Sequence, residues 1–257
     1  MTHVASEYSQ YAQYVKQICD SGSLANFKQS RVYADILEHV SPSQGKQYLD
    51  CIREKTPYLM EDVLSYCAKN DSVGNPHLTE YDFGVQEGGV MHSVSPTSLR
   101  YVYQSHLILS HIQELDILDE KMNLVEIGGG YGGLCVALYH FAPYYGVHIR
   151  SYTIIDLPEV IRLQEMFHVC VGLRNINYVN AFTYGKDIKQ DEMFCISNYC
   201  FSEISLENQY WYQYHLFPKV SHGFMCWNNR TPCSIPFVFQ SFREIPNTGE
   251  YNQFIYF

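Results

Sequence analysis

The feature that most constrains this chain is a glycine-rich segment near its middle. Residues 123–141 read "NLVEIGGGYGGLCVALYHF". Four mostly apolar residues at 124–127 are followed by five glycines and one tyrosine in six positions, and then by an apolar-rich segment. A strand, a turn almost without side chains and a helix bring bare backbone amides to the positive end of that helix, where a ligand can lie against them. We therefore expect a ligand-binding turn at the carboxyl end of the first strand of an α/β sheet.

The rest of the C-terminal half alternates between strands and helices. The pattern predicts strands at 124–127, 148–155, 176–179, 193–197 and 223–227. Two final β-rich runs, "IPFVFQSF" and "YNQFIYF", are separated by a turn that contains proline, asparagine and glycine. Strands separated by helices and followed by a hairpin predict an α/β fold, a doubly wound Rossmann-like sheet with an antiparallel C-terminal strand.

The N-terminal part is predicted to be helical. The segments "SEYSQYAQYVKQICD", "RVYADILEHV" and "TPYLMEDVLSYCAKN" space their apolar residues by three and four. Residues 71–95 are rich in glycine and turn formers, and we interpret them as an ordered crossing loop. Ser95 then caps a helix with Pro96 in its first turn. We expect two units, a helical cap with the crossing loop at 1–94 and a ligand-binding core at 95–257.

Composition limits the partners and the location. The net charge is −10, from 17 basic and 27 acidic residues, and no Lys/Arg cluster is visible, so we expect no nucleic-acid partner. No apolar run approaches the roughly 18 residues of a membrane helix, and residues 1–10 do not resemble a signal peptide, so we expect no membrane insertion. The nine cysteines are scattered and include no C-x-x-C pair, which favours reduced thiols and a cytoplasmic location.

The glycine turn matches two ligand patterns. Gly128, Gly130 and Gly133 satisfy G-x-G-x-x-G, the dinucleotide pattern, whereas Glu126 with Gly128, Gly130 and Gly132 satisfies E-x-G-x-G-x-G. A carboxylate beside the turn would repel a diphosphate and attract a ligand that carries an ammonium and a sulfonium group. S-adenosyl-L-methionine has both groups. We therefore predict this cofactor, with an NAD(P)-dependent oxidoreductase as the alternative.

The ends of the next two predicted strands suit an adenosine. Asp156 is placed to accept hydrogen bonds from both ribose hydroxyls, and Leu157 could pack on adenine. After the third strand come Asn180, Ala181 and Phe182, where an amide could read the adenine amino group and a phenyl ring could cover the base. NAD would use the same acid, so Asp156 indicates an adenosine without separating the two ligands.

Five segments of the chain resemble one known family. They are "GNP", "SPTSLRY", "VEIGGGYGGL", "IIDLPEV" and "ISNYCFSEIS", and the similarity that rests on them runs over residues 74–214. Together they are similar to the S-adenosylmethionine-dependent sugar O-methyltransferases, whose related domains occur in enzymes that decorate surface glycans, including those of large algal viruses. One departure is Asn180, where methyltransferases of this class often carry an acid.

The resemblance implies a class I methyltransferase core with a helical cap, and a sugar or glycan as the methyl acceptor. It allows the chain to be one module of a larger glycan-building enzyme, in the host cytoplasm if the source is viral. A non-catalytic glycan-binding module is a further alternative. The predicted cofactor site also takes in four residues outside the patterns above: Arg100, Tyr131, Ser197 and Asn198. Arg100 could clamp the methionine carboxylate with two hydrogen bonds.

Transfer of a methyl group to a sugar hydroxyl needs an aligned acceptor and a base. Glu203, one helical turn beyond the fourth strand and screened by aromatic residues, is our first choice for the base. His92, on the crossing loop with Glu87, is the second, since imidazole commonly serves as a general base. Asn198 and Asn228, at the ends of the fourth and fifth strands, complete the predicted catalytic set.

The acceptor site is predicted from the same strand ends and from the aromatic helix at 207–217. The expected substrate-binding residues are Tyr199, Trp211, Tyr212, Asn229 and Arg230. Asp187 and Asp191 fall in a loop before the fourth strand, on the wrong edge of the sheet for catalysis. We therefore expect a reaction without a metal ion.

Overall fold

The computed structural model describes residues 6–85, 89–115, 121–228 and 230–257. Its helices are α1 (Ser6–Ser21), α2 (Arg31–Leu37), α3 (Pro42–Lys55), α4 (Met60–Asp71), α5 (Pro96–Glu114), α6 (Gly133–Phe141), α7 (Pro158–Cys170), α8 (Cys200–Glu203) and α9 (Leu206–His215). Its strands are β1 (Thr79–Asp82), β2 (Met91–Val94), β3 (Met122–Ile127), β4 (Ile149–Asp156), β5 (Ile176–Asn180), β6 (Met193–Asn198), β7 (Val220–Trp227), β8 (Gln240–Arg243) and β9 (Gln253–Tyr256).

The main sheet has seven strands in the order β5-β4-β3-β6-β7-β9-β8. The strands β3 to β7 pair in parallel, and β9 is antiparallel to both of its neighbours. This order, with a reversed penultimate strand at one edge, is the class I methyltransferase arrangement of the Rossmann-like sheet. The predicted fold class is confirmed.

The direction of winding changes at the centre of the sheet. From β3 the chain winds outward through β4 to β5, and then returns to place β6 on the other side of β3. Such a switch point opens a crevice at the carboxyl ends of the two central strands. The central strands are buried almost throughout, as parallel strands covered by helices must be. The glycine turn after β3 therefore opens into this crevice.

The N-terminal helices pack on one face of the sheet domain. Helix α1 packs against α7, and α3 packs against α5. Helix α3 begins with a capping box between Ser41 and Gln44, and α5 begins at Ser95, whose hydroxyl accepts from the Thr97 amide as the sequence predicted. One cluster of buried apolar side chains contains Tyr33 of the cap and Leu124 of β3. The cap and the sheet thus share a continuous core across the expected boundary at residue 94.

The segment at 71–95 differs from the expected loop. It contains the antiparallel pair β1–β2, in which Thr79 lies opposite Val94 and Tyr81 opposite His92. The strands have four residues each, too few for alternation to distinguish them from a loop. Glu87, expected near the site, lies outside the described residues. No helix in the described ranges combines the length and the apolar character needed to cross a membrane.

Candidate functional site

A cavity of about 490 Å³ lies at the carboxyl ends of the central strands. Its floor is the glycine turn after β3, and its sides come from the ends of β4, β5, β6 and β7. Residues Ile36, Leu37 and His39 of the cap also line it. The cavity therefore occupies the crevice at the switch point, between the sheet edge and the helical cap.

The glycine turn has no room for side chains. Gly128 has φ +76°, and a Cβ atom there would lie 2.3 Å from the Cβ atom of Cys200. Gly130 has φ +57°, and a Cβ atom there would lie 3.2 Å from Cδ2 of Leu37. Both φ values are in the left-handed region that favours glycine. The turn presents bare backbone to the cavity and is packed between α8 and the cap.

Glu126 is a buried carboxyl group at the cavity floor. Its side chain is 2% exposed, and the Tyr152 hydroxyl donates a hydrogen bond to its Oε2 atom at 2.8 Å. Burial raises the pKa of Glu126 to about 8; the hydrogen bond from Tyr152 acts against this and the charge of Asp156 adds to it. Within the described ranges no basic side chain forms an ion pair with it. A cation in the cavity would stabilise its ionised form.

Asp156 braces the glycine turn from the end of β4. Its Oδ2 atom accepts from the Gly129 amide at 3.0 Å and from Nε2 of Gln164 at 2.9 Å, and its Oδ1 atom accepts from the Leu157 amide at 2.8 Å. Burial raises the pKa of Asp156 to about 7, and these three hydrogen bonds oppose the rise. Asp156 also lines the cavity, where its oxygen atoms can accept further hydrogen bonds from a ligand.

The expected adenine-binding residues come together at the β4–β5 end of the cavity. Leu157, Ala181 and Phe182 all line it, and the Phe182 side chain is 49% exposed. Asn180 is engaged locally, because its Oδ1 atom accepts from the Phe182 amide at 3.0 Å. Tyr184 and Tyr212 extend this aromatic wall. Tyr184 was not identified from the sequence.

Arg100 reaches the cavity from the first turns of α5. It is 4% exposed, and its Nη2 atom donates to the Leu37 carbonyl oxygen at 3.1 Å. Its Nε atom is buried and has no hydrogen-bond partner in the described part of the chain. A buried donor without a partner is costly. The guanidinium is therefore suited to an anionic group of a ligand.

The end of β6 contributes a pair of amides. The Nδ2 atom of Asn198 donates to Oε1 of Gln104 at 2.9 Å, and both residues line the cavity. The Oδ1 atom of Asn198 is buried and, among the residues described, has no hydrogen-bond donor. Gln104 gave no sequence signal, because a glutamine within a helix is usually a surface residue.

Glu203 and Asn228 meet at the rim of the cavity. Both line it, and Nδ2 of Asn228 donates to Oε1 of Glu203 at 2.5 Å. The Glu203 side chain is 20% exposed, and Nε of Arg230 lies 3.9 Å from the same Oε1 atom. The structure thus brings the predicted carboxylate and amide together.

A polar group from the C-terminal hairpin completes the lining. Tyr199, at the end of β6, has φ +66°, and its hydroxyl donates to Oε1 of Glu244. Thr248 and Asn252, from the turn between β8 and β9, also line the cavity. The sequence showed this segment only as a turn. The signal that could have found it is the antiparallel last strand, whose beginning must lie at the carboxyl edge of the sheet.

Three residues of the expected cofactor site do not line the cavity. Tyr131 is fully buried among Phe27 and Phe167, and its hydroxyl accepts from Nδ2 of Asn70. Gly132 caps α6, and Ser197 donates to the Ile127 carbonyl oxygen at 3.0 Å. Tyr131 follows Gly130, and its ring packs behind the turn. Ser197 precedes Asn198, which lines the cavity, but its hydroxyl donates to the backbone of β3 and accepts from the Phe201 amide of α8.

Three other expected residues also lie away from the cavity lining. His92 sits on β2, where its ring packs edge-on against Phe83, because the crossing segment folds as a hairpin. Trp211 stacks on His215 along the outer face of α9, and Arg230 is exposed beside Glu203. Asn229 lies outside the described residues. Among those residues, no group of three or more His, Cys, Asp or Glu side chains is arranged as a metal site.

Comparison with known proteins finds only weak structural similarity. No protein-family model and no curated protein matches the chain. The ribosomal protein L11 methylase from Lactobacillus delbrueckii subsp. bulgaricus is 13% identical with a TM-score of 0.39, over 60% of this chain and 78% of that one. An S-adenosylmethionine-dependent methyltransferase from Aquifex aeolicus is 15% identical with a TM-score of 0.39, over 57% of this chain and 87% of that one.

A mitomycin 7-O-methyltransferase is 12% identical with a TM-score of 0.40, over 63% of this chain and 56% of that one. The chain therefore spans about half the length of that enzyme. Identities and TM-scores as low as these add nothing to what the strand order shows about the fold.

Proposed function

We propose that the chain is an S-adenosyl-L-methionine-dependent O-methyltransferase that acts on a hydroxyl group of a sugar or glycan. The observation that carries the proposal is the Glu126 carboxyl group, buried beside the bare backbone of Gly128–Gly130 without a basic partner among the described residues. A ligand that brings a positive charge to this point supplies what the site lacks. The resemblance of five sequence segments to sugar O-methyltransferases agrees with this proposal.

The cavity residues match the parts of this cofactor. Leu157, Ala181 and Phe182 would hold the adenine, and Asp156 would accept from the ribose hydroxyls. Arg100, whose buried Nε atom lacks a partner among the described residues, would hold the methionine carboxylate, and Glu126 would face the ammonium group. When bound, the cofactor supplies an electrophilic methyl group on a sulfonium.

The residues of the chain then orient the acceptor and take its proton. Glu203 is the proposed base: its carboxylate removes the hydroxyl proton as the oxygen attacks, and Asn228 fixes the carboxylate by donating to Oε1. Asn198 holds the acceptor through its Oδ1 atom, which has no donor within the described ranges. A base of this kind contributes roughly 10²–10⁴-fold to the rate. We propose that no metal ion takes part.

The site favours this function over a dinucleotide-dependent oxidoreductase. A diphosphate binds at the N-terminus of the helix that follows the glycine turn. Here the first turn of α6 is covered: a Cβ atom at Gly133 would meet Tyr101 at 2.7 Å and Tyr131 at 2.8 Å. The cavity lining includes Gly130 but neither Gly132 nor Gly133.

All nine cysteines are free thiols, which supports the proposed cytoplasmic location.

Calorimetric titration with S-adenosylhomocysteine and with NADH tests the proposal. We expect the first ligand to bind and the second to fail. Glu126→Gln should weaken S-adenosylhomocysteine binding roughly 10- to 100-fold, the usual effect of a lost hydrogen bond to a charged group. Glu54→Gln, at an exposed position of α3, is the matched control and should change nothing. Tighter binding of NADH, or equal affinity in Glu126→Gln, would refute the proposed cofactor.

The acceptor class is tested with labelled S-adenosyl-L-methionine and a panel of sugars and oligosaccharides. Methylation is detected by mass spectrometry as the gain of one methylene unit. The proposal expects transfer to a hydroxyl oxygen of at least one neutral sugar. Transfer only to amines, or to no member of the panel by a protein that binds the cofactor, would contradict it.

A further inference from the structure

We infer that the turn between β8 and β9 forms the acceptor-binding subsite of the cavity and takes a neutral, polyhydroxylated ring such as a glycoside. The subsite consists of Tyr199, Thr248 and Asn252, held in place by Glu244. The inference rests on the proposed function for the reaction served by the subsite, whereas the subsite itself follows from its own contacts.

The topology places this turn beside the catalytic strand ends. Strand β9 runs antiparallel to β7, and Gln253 pairs with Trp227, the last residue of β7. The beginning of β9 therefore lies at the carboxyl edge, and Thr248 and Asn252 line the cavity. The proposed adenosine residues follow β4 and β5, on the opposite side of β3. The cavity thus has a nucleoside half and a second half formed over β6, β7 and β9.

One buried carboxylate organises the second half. Glu244 is 1% exposed and does not line the cavity. It accepts from the Tyr199 hydroxyl, from the Thr248 amide at 2.9 Å, from Oγ1 of Thr248 at 2.6 Å and from Nδ2 of Asn252 at 3.1 Å. Three cavity-lining side chains are therefore oriented by a single group behind them. Glu244 is a positioning residue.

The backbone of Tyr199 indicates that its phenol is held at a set position. Its φ of +66° is unusual for a residue with a large side chain. The Tyr199 amide donates to the Cys226 carbonyl oxygen at 2.9 Å, and its hydroxyl lies 3.3 Å from Oγ1 of Thr248. Such conformations persist where the surroundings impose them and cluster at ligand-binding sites.

The chemistry of these side chains selects the ligand class. The subsite presents a phenol, an alcohol and an amide, and the adjoining Asn198 adds a buried Oδ1 atom without a partner among the described residues. Tyr199 and Thr248 donate their hydroxyl protons to Glu244, so their oxygen atoms are left as acceptors for the hydroxyl groups of a sugar, which can donate to them. An anionic ring would bring its charge toward the carboxylate of Glu244. The subsite therefore fits a neutral sugar better than a sugar phosphate or a uronic acid.

Direct sugar binding tests the inference without requiring turnover. Saturation-transfer NMR in the presence of S-adenosylhomocysteine would be recorded with methyl glucoside, mannoside, galactoside, fucoside and rhamnoside. We expect at least one glycoside to bind, and Thr248→Val to weaken it roughly 3- to 10-fold through the loss of one neutral hydrogen bond. Glu244→Gln should weaken glycoside binding more, because the NH₂ group of the new amide would face the donor groups of Tyr199, Thr248 and Asn252. Tyr251→Phe, in the same turn but 67% exposed and outside the cavity, is the control and should bind as the wild type does.

Three other outcomes would overturn the inference. Unchanged affinity in Thr248→Val and Glu244→Gln would remove the turn from the site, and binding of glucose 1-phosphate or glucuronic acid in place of the glycosides would contradict the ligand class. Absence of any sugar binding would refute the subsite. If Glu244→Gln fails to fold, Thr248→Val decides. Failure of S-adenosylhomocysteine to bind would refute the proposed function alone, since glycoside binding is then measured without it.

Discussion

Under the proposed function, ligand binding is coupled to the ionisation of a single residue, Glu126. Its pKa of about 8 means that the carboxyl group is mostly protonated at neutral pH in the free protein. A ligand ammonium group favours the ionised form, so binding must release a proton. We therefore predict that the affinity for S-adenosylhomocysteine rises between pH 6 and 8, by at most about tenfold per pH unit for one proton.

Calorimetry in buffers with different ionisation heats measures this proton release. The component due to Glu126 should disappear in Glu126→Gln, whereas Glu54→Gln should keep it. An affinity that falls with pH over this range, or a slope that is undiminished in Glu126→Gln, would show that the ammonium group lies elsewhere.

Under the proposed function, Glu203 acts in the chemical step and not in cofactor binding. It lines the rim of the cavity, where Nδ2 of Asn228 donates to its Oε1 atom. We predict that Glu203→Gln lowers kcat roughly 10²- to 10⁴-fold and leaves S-adenosylhomocysteine affinity nearly unchanged. Glu207→Gln, an exposed carboxyl nearby, is the matched control and should keep full activity. Full activity of Glu203→Gln would assign proton removal to another residue.

At the scale of elements, the sequence pattern predicts the long buried strands and misses the short ones. The strands that form the sheet centre lie within about two or three residues of their predicted positions, because long buried runs between turns are distinctive. The hairpin β1–β2 was missed, and His92 was consequently expected over the site. Gln104, Thr248 and Asn252 were missed for another reason: their side chains reach the cavity only through tertiary contacts of α5 and of the last hairpin.

The glycine turn is an element whose packing can be tested against its conformation. Gly128 and Gly146 both have positive φ, but a Cβ atom at Gly128 would meet Cys200 at 2.3 Å, whereas one at Gly146 would meet nothing within 4 Å. Gly146→Ala should therefore cost only the conformational strain, about 1–2 kcal/mol. Gly128→Ala should cost more and should also abolish cofactor binding.

Chemical denaturation and calorimetry of both variants check this prediction. Adding Cys200→Gly to Gly128→Ala should recover part of the lost stability, because the clashing Cβ atom is removed, and a double-mutant cycle measures the coupling. Equal losses in Gly128→Ala and Gly146→Ala would show that the contact with α8 is unimportant.

At the scale of the whole molecule, the cap is integrated with the sheet. Lys28 of the cap is fully buried, its Nζ atom lies 3.9 Å from the centre of the Tyr131 ring, and it donates to the Asn70 carbonyl oxygen at 3.2 Å. Tyr131 belongs to the glycine turn, so cap packing and the shape of the ligand site depend on one another. The sequence indicated both parts but could not show this contact, because a lysine is seldom buried.

The carboxyl groups of buried Glu126 and half-buried Asp156 make the stability of the whole protein depend on pH. Burial raises the pKa of Glu126 from 4.5 to about 8 and that of Asp156 from 3.8 to about 7, so the folded chain binds more protons than the unfolded chain between these values. Their contribution to stability is complete below pH 4 and is lost as the pH rises through 7 and 8, at up to about 1.4 kcal/mol per pH unit for each group. Half-buried His106 and buried His168, whose pKa burial lowers to about 4, act in the opposite sense but only below about pH 6.5. We predict that the Tm of the free protein falls between pH 6.5 and 8.5, measured by calorimetry, and that the fall is smaller in the double variant Glu126→Gln, Asp156→Asn. S-adenosylhomocysteine should raise the Tm more at pH 8 than at pH 6.5, because its binding requires the ionised form of Glu126. If the Tm fell with pH equally steeply in the wild type and in the double variant, these two carboxyl groups would not be the cause of the pH dependence of stability.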